Sequence, residues 1–399
     1  MKDLIKRISQ LQNQISSKQA ILLSNPSDIY YFTKFQYLVP TEREAFVFIT
    51  KKNHYLIHAS FSPIGPDALA IKLAGCNLDK FSEHINHIIK TDKIEEILVD
   101  ESSLFVNEHQ ILKNNKIQLS KLDKNLVWQL RTAKNDTEIE SIRQASLIAK
   151  QALNKILAEL REGITEKEVK LSLEMTMRKL GSEKNAFPLI VAFGEHSALP
   201  HHQPTDTKLE QGMAILIDMG AVVNNYCSDI TRTIWFGNQA DPEFLKIEKI
   251  VKQAYQAVIN LLEKNKNYFS DTNLESKNEN QASDSRENQT ITNNQTITTL
   301  TAKDLDTAAR SVINNHGYQK HFMHTTGHGV GIDVHEPPSL NWKNNFLIKE
   351  NMIVTVEPGI YLEGKFGYRY ENTILLKADK VNREAREGTI GYRIEELTK

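Results

Sequence analysis

The sequence predicts an α+β protein in two parts, an α/β domain over residues 1–130 and a pseudo-twofold α+β domain over residues 131–399. Three observations carry this expectation. A chain of 399 residues exceeds what one ordinary core organises. Helical and strand signals alternate over the first 130 residues. Beyond them, one helix-start signal recurs in two places with the same internal spacing.

In chain order, Ile5 to Ile15 reads as an amphipathic helix, and Ala45-Phe-Val-Phe-Ile-Thr50 and Ile97-Leu-Val-Asp100 read as short apolar strands. This first part holds no cluster of chemically reactive residues. Ile139, Ile142, Ala145, Ala149, Leu153, Ile156 and Leu160 then recur at helical spacing, with Gly163 as a stop. Thr165-Glu-Lys-Glu168 has capping-box form and meets Gly181 sixteen residues on; Thr301-Ala-Lys-Asp304 has the related form and meets Gly317 after the same interval. A long amphipathic helix, over 137–161 or 243–263, precedes each. A strand-rich stretch with two carboxylates follows each: Asp218 and Asp229, then Glu357 and Glu371.

The second repeat carries an insertion over 265–300. It has no Gly or Pro, and 21 of its 36 residues are Asn, Gln, Ser or Thr. Such a stretch buries too little apolar area to offset its ordering entropy, so a mobile surface loop without catalytic role is expected.

Hydrophobic content of 40% and charged content of 25% belong to a soluble globular protein. A net charge of −1 gives no electrostatic reason to expect nucleic acid or an anionic membrane as partner. No apolar run approaches the roughly 20 residues that span a bilayer, and the first residues lack a signal-peptide core, so a cytoplasmic location is expected. Cys76 and Cys227 are the only cysteines, which leaves oxygen and nitrogen as the ligands for any metal.

The run His324-Thr-Thr-Gly-His328-Gly-Val-Gly-Ile-Asp-Val-His335 sets three imidazoles among glycines, where backbone can approach a ligand closely. Asn224-Asn225 is a turn signal that brings Asp218 and Asp229 onto facing strands, and Glu357 and Glu371 flank Gly364 and Gly367. Four carboxylates at one spot repel unless cations sit among them. A pair of divalent ions, with His328 as a fifth ligand, is the simplest answer. Oxygen ligands with one imidazole suit Mn²⁺, Co²⁺ or Fe²⁺, and Zn²⁺ also fits. Taken singly, Asp218 is as well read as a strand-end cap, Glu371 as a surface acid beside Arg369, and His201 as a loop residue; their joint occurrence in a duplicated domain favours a site.

The series Pro200-His201, Ile217-Asp218-Met-Gly-Ala221, Ser228-Asp229-Ile-Thr-Arg-Thr233, Gly327-His328-Gly through His335-Glu336, Val356-Glu357-Pro-Gly359 and Arg369-Tyr-Glu371-Asn closely resembles the Xaa-Pro peptidases, the proline-specific aminopeptidases and prolidases of the pita-bread metallopeptidase family. The match runs from about residue 130 to the carboxyl end, and residues 1–130 resemble the family's creatinase-like domain. The resemblance implies that Asp218 chelates one ion, that His328 and Glu357 chelate the other, and that Asp229 and Glu371 bridge both. Glu357 is then also the general base, and His201 and His335 bind the scissile carbonyl. His324, Tyr361 and Arg369 match positions that wall the proline pocket or steady the bridging Glu. The implied cofactor is a pair of divalent ions, foremost Mn²⁺. The implied partners are peptides with proline second, and a second copy in a homodimer. Many prolidases carry an Arg shortly after the His-Glu pair, whereas this chain reads His335-Glu-Pro-Pro-Ser339. That leans toward an aminopeptidase on longer peptides, with a dipeptide-cleaving prolidase as the alternative and a non-catalytic binding protein of the same fold as a weaker one.

Overall fold

The computed structural model describes residues 2–39, 41–65, 71–264, 291–292, 295–296, 300–379 and 391–399. They sort into two compact units, Met1–Arg131 and Thr132–Lys399.

In the first unit the elements run α1 (Lys2–Asn13), β1 (Gln19–Leu23), α2 (Pro26–Thr33), β2 (Ala45–Thr50), β3 (His54–His58), β4 (Ile71–Ala74), α3 (Leu78–Asp92), β5 (Glu96–Val99), α4 (Val106–Asn114), β6 (Gln118–Lys121) and α5 (Asn125–Thr132). The six strands form one mixed sheet in the order β4-β3-β2-β1-β5-β6. Strand β2 is buried along its whole length, which is why its sequence is a continuous apolar run rather than an alternation. Helix α1 starts three residues earlier than its apolar pattern and buries Leu4, Ile8 and Leu11. Asn25 caps α2 by accepting from Ser27 N and Asp28 N, with Pro26 in the first turn.

The second unit is built twice over. Its first half holds α6 (Asp136–Glu159), α7 (Glu166–Lys179), β7 (Ile190–Phe193), β8 (Met213–Met219), β9 (Val222–Val223), β10 (Tyr226–Cys227) and β11 (Ile230–Phe236). Then come α8 (Pro242–Lys264), β12 (Ile291–Thr292), β13 (Gln295–Thr296), α9 (Ala302–Asn315), β14 (Gly327–Gly329), β15 (Glu336–Leu340), β16 (Ile353–Val356), β17 (Gly359–Leu362), β18 (Phe366–Arg369), β19 (Asn372–Asp379) and β20 (Gly391–Glu396). One sheet has the order β11-β8-β7, the other β15-β14-β16-β19-β20. Each half has its own core. Ala149, Leu153 and Ile156 of α6 and Val169 and Leu173 of α7 pack on Val191, Ile215 and Ile217; Val251, Ala254 and Val258 of α8 and Leu305 and Ala309 of α9 pack on Val354, Val356 and Ile374.

Both expected capping boxes form: Thr165 exchanges hydrogen bonds with Glu168, and Thr301 with Asp304. The surroundings repeat as well. Thr165 bridges Lys208 as Thr301 bridges Leu347, and Glu166 N donates to Thr207 O as Ala302 N donates to Phe346 O. Of the predicted loop over 265–300, only β12, β13 and Leu300 are described. The two short strands pair with each other, and the remainder lies outside the described residues. Leu300 is buried and its carbonyl accepts from Ile348 N, so this last residue of the expected loop is packed on the fold. No described helix is long and apolar enough to cross a membrane.

Candidate metal centre

Strand β8 carries Asp218 opposite Thr231 of β11. The Asn224-Asn225 turn forms with both residues at positive φ, as a type I′ hairpin requires, but its ladder is the separate pair β9-β10. Gly220 marks the break, because a Cβ there would lie 2.0 Å from Ser228 O. Asp229 therefore sits just before β11, two residues ahead of Thr231, the partner of Asp218, on the facing arm of the hairpin as its turn signal leads one to expect. The other half is alike: Glu357 follows β16, Glu371 precedes β19, and the neighbouring Val356 and Asn372 pair in register.

All five residues, with His201, His324, His335 and Arg369, line one cavity of about 370 Å³ whose remaining wall includes Phe187, Pro188, Ile190 and Pro200. His328 Nδ1 donates to Gly329 O, so the neutral ring keeps on Nε2 the lone pair a cation would take, whereas in the metal-free site, where its pKa is raised, Nε2 carries a proton toward Glu357. Nε2 faces Glu357 Oε1 at 3.3 Å and Asp229 Oδ2 at 3.7 Å. Ligand atoms of Asp229, His328 and Glu371 lie within 4.8 Å of one another.

A chain of hydrogen bonds orders the wall. Arg369 Nη2 pairs with Asp218 Oδ2, and its Nη1 donates to Tyr361 OH at 2.8 Å. Tyr361 OH meets His324 Nε2 at 2.8 Å. His324 Nδ1 contacts Thr325 O, so Nδ1 carries the proton and Nε2 accepts from Tyr361. The ring of His335 stands edge-on to His328 with centroids 4.3 Å apart. Every residue predicted for the site is thus in it, Tyr361 through its bond to His324.

The electrostatics are those of an anion cluster. Burial first, then Glu371, Asp218 and Glu357, push the Asp229 carboxyl well above the usual range. Burial and then Glu357 and Asp218 do the same to Glu371. Burial also opposes ionisation of Glu357, but the His328 hydrogen bond and the charges of His328, His324 and Arg369 outweigh it and hold that carboxyl down to about 2. Burial and then the neighbouring His328 depress the His335 imidazole. Asp218 Oδ1, Asp229 Oδ1 and Glu371 Oε1 are buried without any hydrogen-bond partner. Orphaned, mutually repelling carboxylate oxygens around one lone-pair imidazole fit divalent cations.

The sequence reading passed over two hydroxyls. Thr231 Oγ1 donates to Glu371 Oε2 at 2.7 Å. Thr355 Oγ1 contacts Glu357 Oε1 at 3.3 Å and accepts from His328 N. Thr231 is two residues after Asp229 and Thr355 two before Glu357, so the period of two along a strand was a usable signal. Glu166, His196 and His202 form a further cluster that no spacing in the sequence announces.

Residues 140–277 and 287–378 match metallopeptidase family M24. Over 390 residues the chain is 30% identical to an Xaa-Pro dipeptidase of Pyrococcus furiosus, covering 96% of this chain and 97% of that one. A crystal structure of the prolidase from Pyrococcus horikoshii superposes with a TM-score of 0.79 at 27% identity, covering 100% and 98% of the two chains. An X-Pro aminopeptidase from Thermotoga maritima gives a TM-score of 0.76 at 30% identity, covering 99% and 97%.

Proposed function

From the premise that this chain belongs to metallopeptidase family M24 and is a metal-dependent hydrolase, we propose that it cleaves the bond between an amino-terminal residue and a following proline. The observation that carries this reading is the convergence of five ligand-type side chains, three with unpartnered oxygens, on one cavity.

In this reading Asp218 would hold one divalent ion and His328 and Glu357 a second, with Asp229 and Glu371 placed to serve either, and Mn²⁺ would be the first candidate. Bound there, the ions supply positive charge that polarises a carbonyl and makes water acidic. The chain's own groups do the rest. Glu357, whose carboxyl is held ionised, takes a proton from the attacking water and passes it to the leaving proline nitrogen. His201 and His335 face the cavity and donate to the carbonyl oxygen as charge develops on it. The proline ring, which has no N–H to offer and a fixed φ, rests on the apolar wall of Phe187, Pro188, Ile190 and Pro200.

The same reading favours peptides longer than two residues. A dipeptide presents a free carboxylate next to the scissile bond. Arg369 is the one guanidinium or ammonium lining the described cavity, and it is engaged by Asp218, Tyr361 and Thr231. The dipeptide-cleaving alternative draws on the Pyrococcus relatives. The deciding assay follows released amino acid from Xaa-Pro and Xaa-Pro-Xaa peptides with Mn²⁺, Co²⁺ or Zn²⁺ added. Higher kcat/KM on the longer peptides is expected; equal or better cleavage of dipeptides overturns the length preference, and no cleavage of either overturns the function.

A further inference from the structure

The Glu166, His196 and His202 cluster resembles a second metal site, but its hydrogen bonding differs from that of the first. Glu166 Oε1 accepts from Phe193 N at 2.8 Å and His196 Nδ1 at 2.9 Å. Its Oε2 accepts from His202 Nε2 at 2.9 Å and from Thr205 N and Oγ1, both at 2.8 Å. The His196 and His202 rings stack with centroids 4.3 Å apart. Two oxygens offer about four lone-pair sites, and five donors occupy them. Asp218, Asp229 and Glu371 each keep an orphaned oxygen; Glu166 keeps none.

The donors all come from residues 193–205, the segment that leaves β7 and carries Pro200 and His201 to the cavity wall. Within it His202 is buried against Glu166 while the adjacent His201 is exposed, so drawing one imidazole inward turns the next toward the cavity. Glu166 sits in the first turn of α7, where the helix dipole stabilises an anion. The repeat shows that neither the helix nor its cap requires this carboxylate. The matching position, with the same backbone bond to the segment beyond (Glu166 N to Thr207 O, Ala302 N to Phe346 O), is Ala302, in the half that does not supply His201.

We propose that Glu166 is a positioning residue that holds His201 in place at the cavity and so sets the rate of the hydrolysis step. This rests on the proposed role of His201 at the substrate carbonyl. Glu166→Gln keeps the shape but aims an NH₂ group at N–H donors. A displacement of His201 by about 1 Å is expected to lower kcat by about 10–100-fold, with KM and bound metal unchanged.

The test is a double-mutant cycle on the Mn²⁺-loaded full chain, comparing Glu166→Gln, His201→Ala and the pair. If Glu166 acts through His201, Glu166→Gln costs nothing further once His201 is Ala. An undiminished loss in that background, full activity of the single variant, or the loss of a bound metal equivalent overturns the proposal; the last would make the cluster a ligand set. If Glu166→Gln does not fold, His202→Leu enters the same cycle, since it removes the donor next to His201 and leaves the carboxylate. Failure of the native chain to cleave any Xaa-Pro peptide overturns the functional reading instead, and is seen before any variant is made.

Discussion

Replacing residues 265–299 by a four-residue linker is expected to stabilise the protein. The two halves supply the magnitude. In the first half residues 160–165 join α6 to α7; in the second, residues 265–301 join α8 to α9, a connection about six times as long. Loop-closure entropy rises by about 0.6 kcal/mol per doubling, so cutting the longer connection to the length of the shorter contributes about 1.6 kcal/mol. For a unit of this size that corresponds to a rise of about 3–6 °C in melting temperature. Leu300 and Thr301 are kept, because Leu300 is buried and Thr301 caps α9. The assay is thermal unfolding of both proteins, with metal content and Xaa-Pro cleavage measured in parallel. A variant that melts below the full chain, or keeps its metals but loses turnover, would refute the reasoning, because it would mean that the removed residues pack on the fold or serve the site.

Asp229→Asn and Glu371→Gln should each lower metal content, since an amide carries no charge to hold a cation; elemental analysis after dialysis reads this. His335→Ala should retain the metals and slow turnover by about 10²–10³, and metal loss equal to that of Asp229→Asn would contradict the division of roles. Metal-free protein should lose stability as pH rises: Asp229, Glu371 and His328 all have folded pKa values above their ordinary ones, so their contribution is full below the unfolded values and fades as pH climbs through the raised ones. Denaturant unfolding between about pH 4.5 and 8, with and without Mn²⁺, checks this, and a metal increment that shrinks with pH would contradict it. Gly367→Ala should lower the melting temperature, because its Cβ would lie 2.0 Å from Ser197 O and 2.7 Å from Tyr361 Cδ1, an overpacking worth about 1–3 kcal/mol.

What was legible in the sequence follows physical range. The helices of the repeat were visible because capping boxes and apolar spacing are local signals, and α6 and α8 begin and end within two residues of their patterns. Asp218, Asp229, Glu357 and Glu371 were visible through charge, since a carboxylate beside an apolar strand is conspicuous. The register of Asp218 was visible too, since counting outward from the Asn224-Asn225 turn gives Thr231, its observed partner; the break of the ladder at Gly220, where a Cβ would meet the Ser228 carbonyl, was not, because a spacing of eleven residues does not encode it. Glu166 was hidden for the opposite reason: at the sequence level it is one acid in the first turn of a helix, and its five donors arrive from residues 27–39 positions away.

The charge at the centre bears on how many ions it takes. Ionised, the four carboxylates outweigh Arg369 by three charges, and Arg369 is already paired with Asp218. One divalent ion would leave a buried net charge of −1, with orphaned oxygens of Asp218, Asp229 and Glu371 still competing for it. Two would leave +1, so the proposed pair of ions would be the occupancy that offers positive charge to a carbonyl oxygen gaining negative charge in the transition state. Glu357 differs from the other three in direction: against the cost of its burial, the His328 hydrogen bond and the charges of His328, His324 and Arg369 hold its carboxyl low, so its negative charge persists even without a cation beside it.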